Sequence, residues 1–324
     1  MCTKPGRLAP SLAGEPKSGF STKNGSLARG AAFAMKPPSF AYHDPKSVEE
    51  AVALLGTLEN AKVLAGGQSL MPMLNMRFVL PDHVIDINQV PGLSGVEAQS
   101  DALIIGAMTR QRELEFSEIV AQHCPILREA LLQVGHRQTR NRGTIGGSLC
   151  HLDPAAELPT LCLAMDAEVE AVGAQGARVI PFAEFPLAYM TPGIGPDELV
   201  TRIRLPLWPK AHGYAFEEFA RRHGDFAIAS AAVLLTLDGT GAIDRIAVAV
   251  GGVAPTPLRM DAIEALLKGV KPTPEALKAA IAPCKEIDAL GDVHAPASYR
   301  QHLAGVMVRR ALTRAVARAK GENA

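Results

Sequence analysis

The segment Arg140-Asn-Arg-Gly-Thr-Ile-Gly-Gly-Ser-Leu-Cys-His-Leu-Asp-Pro-Ala-Ala-Glu-Leu-Pro159 joins a basic, polar stretch to a glycine pair and then to a helix start. The stretch His136–Arg142 reads as a solvated loop whose Arg137, Arg140 and Arg142 could help neutralise an anion. Gly146-Gly147 follows, flanked by Thr144 and Ser148. Glycine tolerates positive φ and lets backbone N–H groups approach an anion with no Cβ in the way. Consecutive N–H groups in such a turn form an anion nest. Asp153-Pro154 then reads as a helix N-cap with proline in the first helical position. Glu157 falls four residues after Asp153, on the same face of that helix. The two carboxylates could do acid–base work or accept hydrogen bonds from a ribose or ribityl hydroxyl. A helix cap for Asp153 and a solvated helix surface for Glu157 are the plainer readings.

Upstream, Ala65-Gly-Gly-Gln-Ser-Leu70 repeats the arrangement of a glycine pair beside a serine. Two nests from distant parts of the chain could hold the two phosphates of a dinucleotide between subdomains. Ser69, Thr144 and Ser148 add hydroxyl donors. A tight turn or bulge is the alternative for either pair alone. No G-x-G-x-x-G sits between a strand and a helix, and G-x-x-x-x-G-K-[ST] is absent, so neither a Rossmann nor an ATP-type phosphate loop is indicated.

Working outward, Ser47-Val-Glu-Glu50 has the form of a capping box. Val48, Ala51, Val52, Leu54, Leu55 and Leu58 continue it at helical spacing. Lys62–Ala65 and Val84–Ile87 read as short strands, with a helix opening at Ser69, so the stretch after Met35 forms a small β-α-β-α-β unit. Leu103–Ala107 is a strand, followed by a helix capped by Thr109 and another over Pro125–Val134. Glu168–Val172 and Arg178–Ile180 flank a hairpin turn, and Leu199–Leu205 alternates as a half-buried strand. Pro206-Leu-Trp-Pro209 marks a boundary. Beyond it lie strands near Tyr214–Phe219, Ile228–Leu237 and Ile243–Val250, then helices around 259–267, 274–282 and 299–318. That order fits a small antiparallel sheet with helices on one face.

The chain has 324 residues, 48% hydrophobic and 20% charged, which is ordinary for a packed protein and excludes a disordered one. Formal net charge is zero and aromatics are 5%, so nucleic acid is not an expected partner. The five cysteines are odd in number and contain no C-x-x-C, which argues against a disulfide framework, a zinc site or a self-contained iron–sulfur cluster. No run approaches the ~18–20 apolar residues of a membrane span. The expected location is the cytoplasm, with the inner face of the membrane as the alternative. Residues 1–34 are rich in Gly, Ser, Ala and Lys. They read as a disordered or non-native extension ahead of Met35.

Ala65-Gly-Gly-Gln-Ser-Leu-Met-Pro-Met-Leu-Asn-Met-Arg77 resembles the first FAD loop of the flavin-binding medium subunits of molybdenum hydroxylases, the family of carbon monoxide dehydrogenase medium chains and the flavin part of xanthine dehydrogenases. Arg140–Pro159 resembles that family's second loop. Arg221-Arg-His-Gly-Asp-Phe-Ala227 and Ala297-Ser-Tyr-Arg-Gln-His-Leu303 resemble further family segments. The resemblance runs from about Met35 to the last helix, in the family's order.

The resemblance implies an α+β fold. A PCMH-type FAD-binding domain would span 35–209, as subdomains of about 35–90 and 91–209. A C-terminal domain over 210–324, with a three-stranded antiparallel sheet and helices, would follow. Ala65, Gly66, Gly67, Gln68, Ser69 and Leu70, with Thr144, Ile145, Gly146, Gly147 and Ser148, would line the FAD pyrophosphate. Asp153 and Glu157 would face the sugar or ribityl chain, and Phe226 the isoalloxazine. Two departures stand out. The family usually has Asp where Glu157 stands, and the carbon monoxide type usually has Tyr where Phe226 stands. The implied role is electron transfer from two [2Fe–2S] clusters of a small subunit to an external acceptor. A large subunit with a molybdenum cofactor would oxidise the substrate, and the assembly would be a dimer of heterotrimers. No side chain of this chain is expected to act as a catalytic acid or base, and no metal ligands are expected. A stand-alone PCMH-type flavin oxidoreductase and a flavin-free scaffold subunit are the alternatives.

Overall fold

The structure is a computed structural model and describes residues 36–322, so the expectation for 1–34 lies outside the described residues. The first unit is a three-stranded parallel sheet in which His83–Asp86 lies between Ala41–His43 and Ala61–Leu64. The helices Val48–Thr57 and Leu70–Asn75 connect its strands. Ser47 Oγ accepts the Glu50 N–H at 3.1 Å, as a capping serine should. The Glu50 carboxylate reaches back to the Lys46 N–H at 2.7 Å, one residue earlier than a capping box predicts.

The second unit is a five-stranded antiparallel sheet in the order Val96–Ala98, Ala102–Gly106, Leu199–Pro206, Glu168–Gly173, Gly176–Pro181. Its pleat separates two chemistries. Leu103, Ile105, Val169, Ala171, Ile203 and Leu205 are buried under helices, among them Pro125–Gln133 and Ile145–His151. Glu168, Glu170, Arg202 and Arg204 alternate with them and form ion pairs on the other face.

Two local expectations fail here. Thr109 does not cap a helix: its buried hydroxyl donates to the Gly95 carbonyl at 3.0 Å and accepts the Gly95 N–H at 2.9 Å. The helix Gln111–Phe116 starts two residues later. The basic loop is itself a helix, Arg137–Arg142. Arg140 is buried there, its Nε 2.9 Å from Glu115 Oε2 and its Nη1 2.8 Å from the Val134 carbonyl.

The C-terminal sheet is antiparallel, in the order Gly213–Phe219, Ala229–Leu237, Ile243–Gly251, Leu258–Arg259. The last, two-residue strand extends the expected three. Helix Ala297–Ala319 lays Leu303, Met307, Val308, Ala311 and Leu312 on one face of this sheet. Phe216, Ala232 and Leu234 on the other face join the core of the five-stranded sheet. Between the two sheets runs helix Glu157–Ala164, every residue of which is buried. Its apolar residues Leu158, Leu161, Cys162, Leu163 and Ala164 belong in an interior, and they carry Glu157 and Thr160 in with them.

Candidate flavin site

The two loops that carry the glycine pairs meet. Gly66 lies against the backbone of Arg142 and Gly143: a methyl placed on it would fall 2.8 Å from Gly143 Cα and closer still to the Arg142 carbonyl oxygen. Gly67 has φ +72°, the left-handed region that favours glycine. Ala65 Cβ lies 3.5 Å from the Cβ position of Gly147.

Asn88 ties the junction together. Its amide donates to the Ala65 carbonyl at 2.8 Å and to Asp86 Oδ1 at 2.6 Å. The Arg110 guanidinium bridges Asn88 Oδ1 and the Arg142 carbonyl. Burial, and then the nearby Arg142, hold the Arg110 group below its ordinary pKa. Neither Asn88 nor Arg110 was anticipated, because each acts on backbone atoms brought close only by folding.

A cavity of about 420 Å³ opens at this junction, lined among others by Gly66, Gly67, Gln68, Asn75, Asp86 and Arg142. Gln68 and Arg142 offer donors, and Gly67 lines the cavity with backbone alone. This is a cradle suited to an anionic diphosphate. Asp86 and Asn88 add acceptors of the kind that bind ribose hydroxyls. The residues present therefore fit FAD.

The second glycine pair works differently from the nest expected of it. Gly146 and Gly147 lie inside helix Ile145–His151 and neither has positive φ. Gly146 exists for packing: a Cβ there would lie 2.6 Å from Ala107 Cβ, and its N–H donates to the Ala107 carbonyl at 2.8 Å. Thr144 is the N-cap, its Oγ1 accepting the Gly147 N–H at 3.1 Å. Ile145 and Gly146 are buried, backbone included. Ser69 precedes helix Leu70–Asn75 without a side-chain capping bond, and Leu70 and Ser148 are half-buried.

Asp153, Glu157 and Phe226 do not line this cavity. Asp153 is not a helix N-cap: its Oδ1 accepts the Ala155 N–H at 2.8 Å in a turn, after Leu152 at φ +51°. The helix begins only at Glu157, so the two carboxylates do not share a helix face. Glu157 is 7% exposed, not solvated. Burial pushes its carboxyl well above the usual range, and Asp153 adds to that. Phe226 is 76% exposed on the loop after strand Gly213–Phe219. That loop touches the first-half elements where Gly224 packs on the His136 ring. Its far end is pinned by Arg300, which is 6% exposed and donates to the Ile228 and Gly252 carbonyls and to Asp292. A lone arginine in an apolar helix stripe was the available signal for it. Among the described residues no cluster of His, Cys, Asp or Glu is placed to hold a metal, and no helix is long and apolar enough to cross a membrane.

A parallel three-stranded sheet, a helix-backed five-stranded sheet and a glycine-lined cleft between them define a flavin-binding protein of the α+β type. Sequence comparison agrees: the FAD binding domain in molybdopterin dehydrogenase matches residues 38–208, and the CO dehydrogenase flavoprotein C-terminal domain matches 214–315. The chain is 43% identical to the 6-hydroxypseudooxynicotine dehydrogenase complex subunit alpha of Paenarthrobacter nicotinovorans, over 88% of this chain and 97% of that one. It is 41% identical to the carbon monoxide dehydrogenase medium chain of Afipia carboxidovorans, over 88% and 100% of the two chains. Carbon monoxide dehydrogenase from Hydrogenophaga pseudoflava superposes with a TM-score of 0.85 at 43% identity, covering 87% of this chain and 99% of that one. The chain belongs to the FAD-binding medium-subunit family of molybdenum hydroxylases, and it is a flavoprotein subunit of an oxidoreductase.

Proposed function

We propose that this chain is the electron-transferring flavoprotein of a molybdenum hydroxylase complex. It would take electrons from the [2Fe–2S] clusters of a small subunit, which a large molybdenum-cofactor subunit supplies, and pass them to an external acceptor. FAD contributes the redox chemistry; the protein binds and orients it and sets the surrounding electrostatics. Residues 35–209 form the flavin-binding part and 210–324 the C-terminal part. Gly66, Gly67 and Gln68, with Arg142, hold the pyrophosphate, and the N-terminal turn of helix Ile145–His151 closes the cleft. Phe226 is exposed where a flavin ring or a partner surface could cover it.

The observation that carries this reading is the backbone-to-backbone meeting of the loops at Gly66 and Arg142–Gly143 around a polar cavity. Relatives named as a medium chain and as a complex subunit support a heteromeric assembly, for which a dimer of heterotrimers is the proposed form. Co-expression with adjacent reading frames should yield a complex containing molybdenum, iron and one acid-releasable FAD per copy of this chain. Full activity of the isolated chain on a small substrate would instead support a stand-alone flavoenzyme and overturn the proposal.

A further inference from the structure

Residues 109–111 run beside the second loop. Arg110 and Thr144 form an isolated antiparallel bridge. The Gln111 N–H donates to the Gly143 carbonyl at 2.8 Å, and the Ile145 N–H donates to the Thr109 carbonyl at 3.2 Å. The Arg110 backbone is therefore tied to that loop.

The Arg110 side chain leaves this pairing and reaches the parallel-sheet unit. Its Nη1 donates to the Arg142 carbonyl and its Nη2 to Asn88 Oδ1. Asn88 continues the chain: its Nδ2 donates to the Ala65 carbonyl at 2.8 Å, one residue before Gly66-Gly67. Asp86 Oδ1 fixes Asn88 in place, accepting its backbone N–H at 2.8 Å and its side-chain amide at 2.6 Å. An arginine can only donate, and a carbonyl or carboxylate can only accept, so one amide orientation of Asn88 satisfies all of these partners. A continuous relay thus runs from the second loop through Arg110 and Asn88 to the first.

Arg110 does not line the cavity, whereas Ala65, Asn88 and Arg142 do. Both oxygens that it holds are neutral, and Glu113 and Asp86 attract it only from a distance, so its fork is not spent on an ion pair. A planar guanidinium reaches two oxygens at once in fixed geometry, which the point charge of an ammonium does not.

We propose that Arg110 is a positioning residue that sets the spacing of the two loops across the cleft, and that this spacing makes the cleft selective for a diphosphate over a monophosphate. The proposal rests on the FAD reading above. A diphosphate carries two phosphoryl groups and engages both loops, so its binding depends on their separation. A monophosphate is held by one loop and is indifferent to the other. Loops held in register before the ligand arrives remove an ordering cost that only the two-loop ligand meets.

The test uses the full chain stripped of FAD, titrated calorimetrically with FAD, ADP and AMP. ADP and AMP differ only in the second phosphoryl group, so the ratio of their affinities cancels what the adenine and ribose contribute. Arg110→Lys keeps the charge and loses the fork. Asn88→Ala cuts the same relay from its other side and decides the question should Arg110→Lys fail to fold, which thermal unfolding reports. Each variant should lower the ADP-to-AMP affinity ratio, and weaken FAD, by about 10-fold, the worth of one hydrogen bond to a charged group. Added to Asn88→Ala, Arg110→Lys should move the ratio by no more than about two-fold further, because the relay is already cut. Equal losses for ADP and AMP are what a merely structural arginine would give, and they overturn the proposal. An unchanged ratio, or a second full drop in the double variant, overturns it too. A wild-type chain that binds neither FAD nor ADP overturns the flavin reading and the positioning role with it, whereas wild-type binding with an unmoved ratio in the variants overturns the positioning role alone.

Discussion

Gly66→Ala is the sharpest perturbation of the loop junction. Its methyl would sit 2.8 Å from Gly143 Cα and 2.9 Å from the Arg142 carbonyl carbon, all backbone atoms that cannot swing away. Carbon–carbon contacts are optimal near ~3.5–4.0 Å, so the loops must part by roughly 0.7–1 Å. That movement pulls the Arg142 carbonyl from the Arg110 guanidinium, now 2.5 Å away. Overpacking typically costs ~1–3 kcal/mol. A change of that size in the FAD-binding form corresponds to about a 5- to 140-fold loss of affinity at ~1.4 kcal/mol per decade. Gly67→Ala meets only the Leu64 and Met71 side chains, each at 3.2 Å, and its penalty is the φ of +72°. A left-handed alanine costs roughly 1–2 kcal/mol, so Gly66→Ala should weaken FAD at least as much as Gly67→Ala. Gly56→Ala, in a helix with nothing within 4 Å, is the control and should stabilise by about 0.5–1 kcal/mol. The assay is flavin-fluorescence titration of the FAD-free protein alongside its thermal unfolding. Wild-type FAD affinity in Gly66→Ala would refute the two-loop cradle.

Thr144→Ala removes the cap on the Gly147 N–H and should cost about 1 kcal/mol in urea unfolding, with Thr144→Ser close to wild type. Arg140→Leu removes the more buried of the two arginines on Glu115, leaving Arg112 at 2.8 Å; the two hold that carboxylate below its usual range against the upward push of burial. Loss of one partner of a buried pair costs roughly 3–5 kcal/mol, readable as a large drop in Tm. Glu157→Gln should gain stability relative to wild type as pH rises. The folded carboxyl is raised above its unfolded value, so wild type is penalised progressively above the ordinary Glu range near ~4.3 and on through the raised folded value. Tm compared at acid and alkaline pH checks the sign; a Glu157→Gln advantage that shrinks toward alkaline pH contradicts it.

Much of the architecture was legible because it rests on short-range pattern. The alternation of Leu199–Leu205, the Gly173–Gly176 turn and the apolar spacing after Ser47 each point to one element, and the observed strands and helices lie within a residue or two. Legibility failed where a distant partner decides. Thr109 looks like a cap until Gly95 takes its hydroxyl. His136–Arg142 looks like a solvated loop until Glu115 buries Arg140. Asp153-Pro154 has a helix-start signature, yet the Asp side chain closes a turn on Ala155 and the helix waits for Glu157.

The glycines show why a site is harder to read than a fold. The sequence Gly-Gly says only that side chains are absent, not which atoms need the room. At Gly66 the room goes to a second loop, at Gly146 to Ala107 in the turn after strand Ala102–Gly106, and at Gly251 to the hydroxyl of Thr160. Only the first borders the cavity. The same holds for carboxylates. Glu157 has ordinary neighbours in sequence, and its chemistry comes from helix Glu157–Ala164 being enclosed by two sheets. Enclosure removes water, and that loss is what pushes the Glu157 carboxyl above the range a solvated helix residue would have.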